Sequence, residues 1–159
     1  MKKYWHIWVG TGMILLSVLI VLGVIFLPRM AAKSDVKDLL EMAAAPDAPY
    51  MVLVDPAYEH EGILAGEGRE VRLDGALAES TRTALGAIAE GFSYEKKGSA
   101  FAGAVQPHLL VKTAEGTIVR IYLAPNEFWT ELKGSAYYFT ADDVQAYASF
   151  YNALMAAFS

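Results

Sequence analysis

From Ile7 to Leu27 the sequence runs for 21 residues without a charged side chain. No other feature restricts the fold as strongly, because so long an apolar run must lie either in a core or in lipid. As a helix it spans roughly 32 Å at 1.5 Å per residue, close to the hydrocarbon thickness of about 30 Å. Tyr4, Trp5 and Trp8 stand at its start, where amphipathic rings favour the headgroup level. Pro28 is expected to end it, since proline lacks an amide donor and restricts the residue before it. A cleaved signal peptide has a shorter apolar region and small residues at its cleavage site. Met30-Ala31-Ala32 matches that pattern poorly. The sequence therefore predicts a short cytoplasmic tail at 1–6, a single membrane anchor at 7–27 in contact with lipid, a juxtamembrane stalk at 28–49 and an extracytoplasmic domain at 50–159. Orientation rests on Lys2 and Lys3, weighed against Arg29, Lys33 and Lys37, among which Asp35, Asp38 and Glu41 are mixed.

Beyond the apolar run the chain is acidic. Residues 30–159 contain 10 Lys/Arg and all 18 Asp/Glu, a net charge of −8. Such a domain is a poor match for a phosphate backbone, and no nucleic-acid partner is expected. The absence of cysteine removes disulfides, thiolate metal sites, cysteine nucleophiles and a lipid-modified N-terminal cysteine.

Periodicity predicts an α+β domain. In the stalk, Ser34 or Asp35 is placed to cap a short helix carrying Val36, Leu39, Leu40 and Ala43, stopped by Pro46 and Pro49. Tyr50–Val54 reads as a strand, and 55–68 as a loop in which Ile63 and Leu64 pair locally. Glu70–Leu73 alternates as a strand does. Asp74 then precedes a helix whose stripe is Leu77, Thr81, Ala84, Leu85, Ile88, Ala89 and Phe92, with Gly91 at its end. An irregular strand is expected within 93–106. His108–Thr113 and Thr117–Leu123 form a hairpin around Ala114-Glu115-Gly116, where the glycine suits a left-handed turn position. Glu127–Leu132 and Ala136–Thr140 form a second hairpin around Lys133-Gly134-Ser135. Thr140-Ala141-Asp142-Asp143 resembles a helix start, with Val144, Tyr147, Ala148, Tyr151, Leu154, Met155 and Phe158 as the following stripe. These elements predict an antiparallel sheet with helices packed on one face.

Candidate chemistry is sparse. Glu59-His60-Glu61 with Asp55 offers ligand types for a divalent cation, but neighbouring strand residues point apart and no second histidine is near, so no metal is expected. Gly66-Glu67-Gly68 lacks the lysine and hydroxyl of a phosphate loop, and no cofactor is expected. Glu127 with Glu131, or Asp142 with Asp143, could form a carboxylate pair for sugar hydrolysis. Asp142 and Asp143 are better explained as capping. His108 has no serine or cysteine nucleophile motif beside it, and His6 belongs to the membrane interface. No catalytic residue is therefore assigned.

Phe128, Trp129, Tyr137 and Tyr138, with Phe139, crowd the last hairpin. Alternating strands cannot bury all of them on one side, so some are expected to face outward or to be covered. Exposed rings are common partner anchors, which makes Phe128, Trp129, Tyr137 and Tyr138 the candidate partner-binding residues.

The series Glu70–Leu73, Leu77–Phe92, His108–Thr113, Thr117–Leu123, Phe128–Leu132, Ala136–Thr140 and Tyr147–Phe158 resembles small uncharacterised extracytoplasmic α+β domains of Gram-positive bacteria. Such domains are carried on lipoproteins and single-pass proteins. The likeness covers roughly the last 90 residues by pattern, and the missing cysteine leaves the apolar helix as the anchor. The resemblance implies no catalytic residue. The functional expectation is a membrane-anchored binding, sensing or accessory module with an envelope or membrane protein as partner. The alternative is a cell-envelope hydrolase using carboxylates.

Overall fold

A computed structural model describes residues 5–48, 50–55, 58–60, 63–65, 68–99 and 106–158. The chain divides into two compact units, Met1–Ser34 and Asp35–Ser159. The first helix, α1, covers Trp5–Ala44 and so extends through both. Pro28 lies inside it rather than at its end. A proline costs a helix one hydrogen bond, and α1 nevertheless continues through it to Ala44. Within α1, large apolar residues from Met13 to Leu27 stand 44–69% exposed. Among the described residues, this stretch is left largely uncovered by protein.

In the second unit the expected stalk is partly core. Val36, Leu40 and Ala43 are buried there, at the four- and three-residue steps that place them on one helix face. Seven antiparallel strands follow. They are β1 (Tyr50–Asp55), β4 (Arg69–Arg72), β5 (Phe92–Ser99), β6 (His108–Lys112), β7 (Ile118–Leu123), β8 (Phe128–Leu132) and β9 (Ser135–Ala141). Their order across the sheet is β4-β1-β6-β7-β8-β9-β5, so β4 and β5 are its two edges. The short strands β2 (Tyr58–His60) and β3 (Ile63–Ala65) pair separately, with Glu59 opposite Leu64. Helix α2 (Gly75–Glu90) carries the chain from one edge strand to the other, and α3 (Val144–Ala156) follows β9.

Turn chemistry explains the hairpins. Leu132 pairs with Ser135, leaving a two-residue loop in which Lys133 and Gly134 both have positive φ, 51° and 75°. That loop twists with the strands it joins. Gly116, at φ 85°, fills the left-handed position of the other hairpin. Gly91 differs from expectation. It is extended, at φ −149°, and ends α2 by donating to the carbonyl of Ile88. Asp74 occupies the N-cap position of α2 but makes no side-chain cap, whereas Asp143 caps α3 by accepting from the Ala146 amide at 2.9 Å.

One sheet face supplies the main core. Register brings Val71, Leu53, Leu109 and Ile121 into one row, and Leu53, Leu109 and Ile121 are buried with Leu40, Leu85, Ile88, Tyr147 and Leu154 of the three helices. Toward the β5 edge, Phe92, Phe128 and Phe139 meet at ring distances of 5.2–5.9 Å. The helical stripes are close to those expected, with two shifts. Val144 is 53% exposed, and Phe150, which the sequence pattern did not select, is buried. Phe92 belongs to this core as the first residue of β5 rather than the last of α2.

Candidate functional site

Alternation along the last hairpin separates the four candidate rings into two pairs. Phe128 and Tyr137 point toward the helices. Phe128 is buried at the centre of the aromatic cluster and offers no surface, while Tyr137 packs partly buried against the core. Trp129 and Tyr138 point to the opposite face, where they form a second cluster with Tyr122 and Ala136. This cluster consists of strand residues only.

The second face is organised as a row across the whole sheet. Pairing aligns Glu70, Val54, His108, Tyr122, Trp129, Tyr138 and Lys96, one residue from each strand. Tyr122 and Trp129 stack with centroids 3.6 Å apart and planes within 4°. Trp129 and Tyr138 are 5.5 Å apart, and His108 lies 5.2 Å from Tyr122. Cations finish the row. Lys96 Nζ sits 4.8 Å above the Tyr138 ring, and Arg120 Nη1 donates to the Tyr122 hydroxyl at 3.3 Å. Gly98 permits this packing, because a Cβ there would lie 2.8 Å from Tyr138 Cε2. Tyr122, Trp129 and Tyr138 are 4%, 2% and 9% exposed. The three rings at the centre of the row are thus covered rather than open, as one of the two expected outcomes has it, while Glu70 and Lys96 at its ends are exposed.

Several of the titratable groups are held in structural contacts. His108 Nδ1 lies 3.1 Å from the Gln106 carbonyl, and burial pulls its pKa below the ordinary histidine value, with Arg120 adding to the effect. Glu127 and Glu131 lie on either side of Trp129, and Glu127 is 3.9 Å from Lys96. Asp142 accepts from the Ser93 hydroxyl at 3.0 Å, and Asp143 is the α3 cap. An open polar cleft borders Glu95, Lys96, Asn126, Glu127 and Thr140, but Thr140 already donates to Glu95 at 3.0 Å. Tyr147 donates toward the carbonyls of Ala124 and Glu127 at 2.9 and 2.8 Å, tying the β7–β8 turn to α3. Burial holds its hydroxyl well above the usual tyrosine pKa. Among the described residues no group of three or more His, Asp or Glu is arranged to hold a metal ion. Asp55 lies in β1, the Glu59 and His60 side chains and all of Glu61 fall outside what is described, and so do Gly66 and Glu67.

A surface that the sequence reading did not single out lies between α2 and α3. Ala76, Ser80, Thr83, Ala84 and Ala87 face Ala146, Ser149 and Ala153 across an open apolar groove of about 730 Å³, floored by Phe150 and Leu154. At one end it deepens into a pit of about 90 Å³ beside Ile88, Gly91, Tyr147 and Asp143. The sequence signal was present as small residues at 76, 80, 83 and 87, a helical spacing. Such a stripe reads as ordinary surface until a second helix is known to lie beside it.

Compared with known proteins, the chain matches no family model, no curated protein and no solved structure.

Proposed function

We propose that this chain is a single-pass membrane protein whose Asp35–Ser159 unit works outside the membrane as a non-catalytic binding, sensing or accessory module for an envelope or membrane protein. The observation that carries the reading is the apolar stretch of α1. Its mean hydropathy is 2.5 over the best 18-residue window, and none of that window is buried in protein. Leaving so many leucine, isoleucine and valine side chains in water would cost roughly 1.5–3 kcal/mol each, and lipid removes that cost. The binding reading is supported by described side chains that serve capping, turns and cross-strand contacts, such as Asp143, Thr113 and Thr130. Placing the Lys2 and Lys3 side in the cytoplasm is supported by the compactness of that pair, since Arg29, Lys33 and Lys37 beyond the apolar run are mixed with Asp35, Asp38 and Glu41. Tethering confines such a module to a thin layer and raises its effective concentration toward partners there.

Membrane fractionation tests the anchor. The full-length chain is expected to stay with membranes in alkaline carbonate and to leave them only in detergent. Release by carbonate, or a product starting near residue 32, overturns the reading. Protease added to intact spheroplasts tests the orientation and should degrade 35–159.

A further inference from the structure

We infer that a gap between β7 and β8 is the docking site of this module, and that its occupant is an extended acidic segment of a partner protein, added there as a strand. The inference rests on the binding-module reading and names the partner's chemistry.

Backbone pairing makes the gap. Strand β7 pairs with β6 from Ile118 to Tyr122, and β8 pairs with β9 from Phe128 to Leu132. Between β7 and β8 the ladder consists of Tyr122–Trp129 and Leu123–Phe128 alone. Beyond Tyr122 the two strands part around an open cleft of about 480 Å³, lined by both of them and by Leu39 of α1. That volume suits a short ligand segment.

The cleft exposes strand edges. The Leu123 amide bonds to Pro107 on the β6 side, and the Ala124 amide bonds to the Glu127 carbonyl. Neither outer ladder is shifted, so the period of two carries along both strands. It turns the backbone groups of Ile118 and Arg120 on one wall, and of Glu131 on the other, into the gap. The Thr130 hydroxyl donates to the Arg120 carbonyl at 2.8 Å, in place of a β8 amide. Edges left apart in this way are a template for a further strand.

The same alternation sorts the side chains. Val119 is buried in the core, and Leu39 and Leu132 pack against it, so an added strand turns every second side chain toward apolar surface. Ile118, Arg120 and Glu131 lie on the opposite face, with Lys133 at the turn beyond, and all four are exposed. Arg120 and Lys133 line the cleft against Glu131, and Lys112 stands beside it, opposite Ile118. Glu115, in the adjoining turn, does not line the cleft. Among the described residues none of these three cations forms an ion pair, and Arg120 donates only to the Tyr122 hydroxyl. In a unit with 18 Asp/Glu against 9 Lys/Arg, this local excess of cations runs against the whole. It selects a partner segment that alternates apolar and acidic residues.

The test uses the full-length chain in nanodiscs of neutral phosphatidylcholine. The probe is a fluorescent, end-blocked peptide of alternating valine and glutamate. One control replaces each glutamate with lysine. A second is N-methylated at every second residue, which removes all amide donors along one edge. Saturable binding of the acidic peptide is expected, with none for the lysine peptide and at least about tenfold weaker binding for the methylated one. Arg120→Gln combined with Lys133→Gln is expected to weaken binding about fivefold to tenfold, the size of two partly exposed ion pairs. Glu131→Pro removes an amide that faces the gap and spares the β8–β9 bonds, so it should weaken binding about tenfold. Glu131→Ala removes the same carboxylate and should keep or tighten it. Circular dichroism checks that the variants fold, and the methylated peptide tests strand addition without any variant. Absence of saturable binding overturns the inference. So does equal binding of the acidic and methylated peptides, indifference to the loss of Arg120 and Lys133, or complete displacement by millimolar free glutamate, which marks a small-anion site. Crosslinking of the chain to an envelope protein that Glu131→Pro leaves unchanged overturns this site while the binding-module reading stands. Failure of the anchor reading is seen separately, in the carbonate extraction.

Discussion

Removing one oxygen from α3 should measurably loosen the folded unit. Tyr147 is buried, and its hydroxyl donates toward two backbone carbonyls of the β7–β8 turn. In Tyr147→Phe the Glu127 carbonyl keeps its bond from the Ala124 amide at 2.9 Å. The Ala124 carbonyl loses the tyrosine. One hydrogen bond contributes about 1 kcal/mol, and stranding a buried acceptor costs about 1–3 kcal/mol, so a loss of about 2 kcal/mol is expected. For a domain of this size that corresponds to a fall in Tm of roughly 6–10 °C. The same hydroxyl predicts an alkaline effect. Its pKa is raised in the folded state above the ordinary value near 10, so the folded state holds this proton more tightly than the unfolded one. Stability from this group is intact below about pH 10 and declines above it, at up to about 1.4 kcal/mol per pH unit. Urea melts of residues 35–159 at pH 7, 9, 10 and 11, followed by circular dichroism, measure both effects. The variant should start lower and then fall less steeply. Equal midpoints at pH 7, or equal alkaline slopes, would refute the assignment of this bond.

Three further substitutions probe other parts of the unit. Leu154→Asp puts a carboxylate into the fully buried α3 stripe and should abolish cooperative unfolding, whereas Gln145→Ala on the exposed side should shift the melt by less than about 0.5 kcal/mol. Gly98→Ala brings a methyl group against the Tyr138 ring and should cost about 1–3 kcal/mol, with a changed Trp129 emission as the aromatic row shifts. His108→Gln should flatten the acid side of the stability curve. The folded histidine has a lowered pKa, so its contribution is present above about pH 6.5 and fades as pH falls through the folded value, a trend the glutamine variant lacks.

Much of the fold was legible because local signals agreed with one another. The hairpin around Lys133-Gly134, the alternation of Val119, Ile121 and Leu123, and the Asp143 cap each name their own geometry from a few adjacent residues. Strand neighbours far apart in sequence were not legible. Nothing in Phe92–Ser99 says that it pairs with β9, because an edge strand needs hydrogen bonds from one side only and tolerates the bulge between Tyr94 and Lys96. Pro28 reads as a terminator from its missing amide and the limit it puts on the residue before it, yet α1 continues through it to Ala44. The face carrying Val36, Leu40 and Ala43 was legible, but so short a stripe does not say what it packs against. The candidate rings illustrate the same division. Alternation correctly separates Phe128 from Trp129, but only the three-dimensional register stacks Trp129 on Tyr122. The α2–α3 groove was hidden for the converse reason, since two bland helical surfaces become a trough only when placed side by side.

The two borders of the sheet have a consequence for neighbouring copies crowded in one plane. Lys96 and Lys97 lie on the β5 border, each within reach of a tyrosine ring of β9. Arg69 and Arg72 lie on the β4 border, where Arg69 also grips the Phe158 carbonyl at 2.8 Å. Charged side chains on both borders disfavour border-to-border joining, which would also sacrifice these contacts. Crowding of copies is thereby biased against zipping into a continuous ribbon.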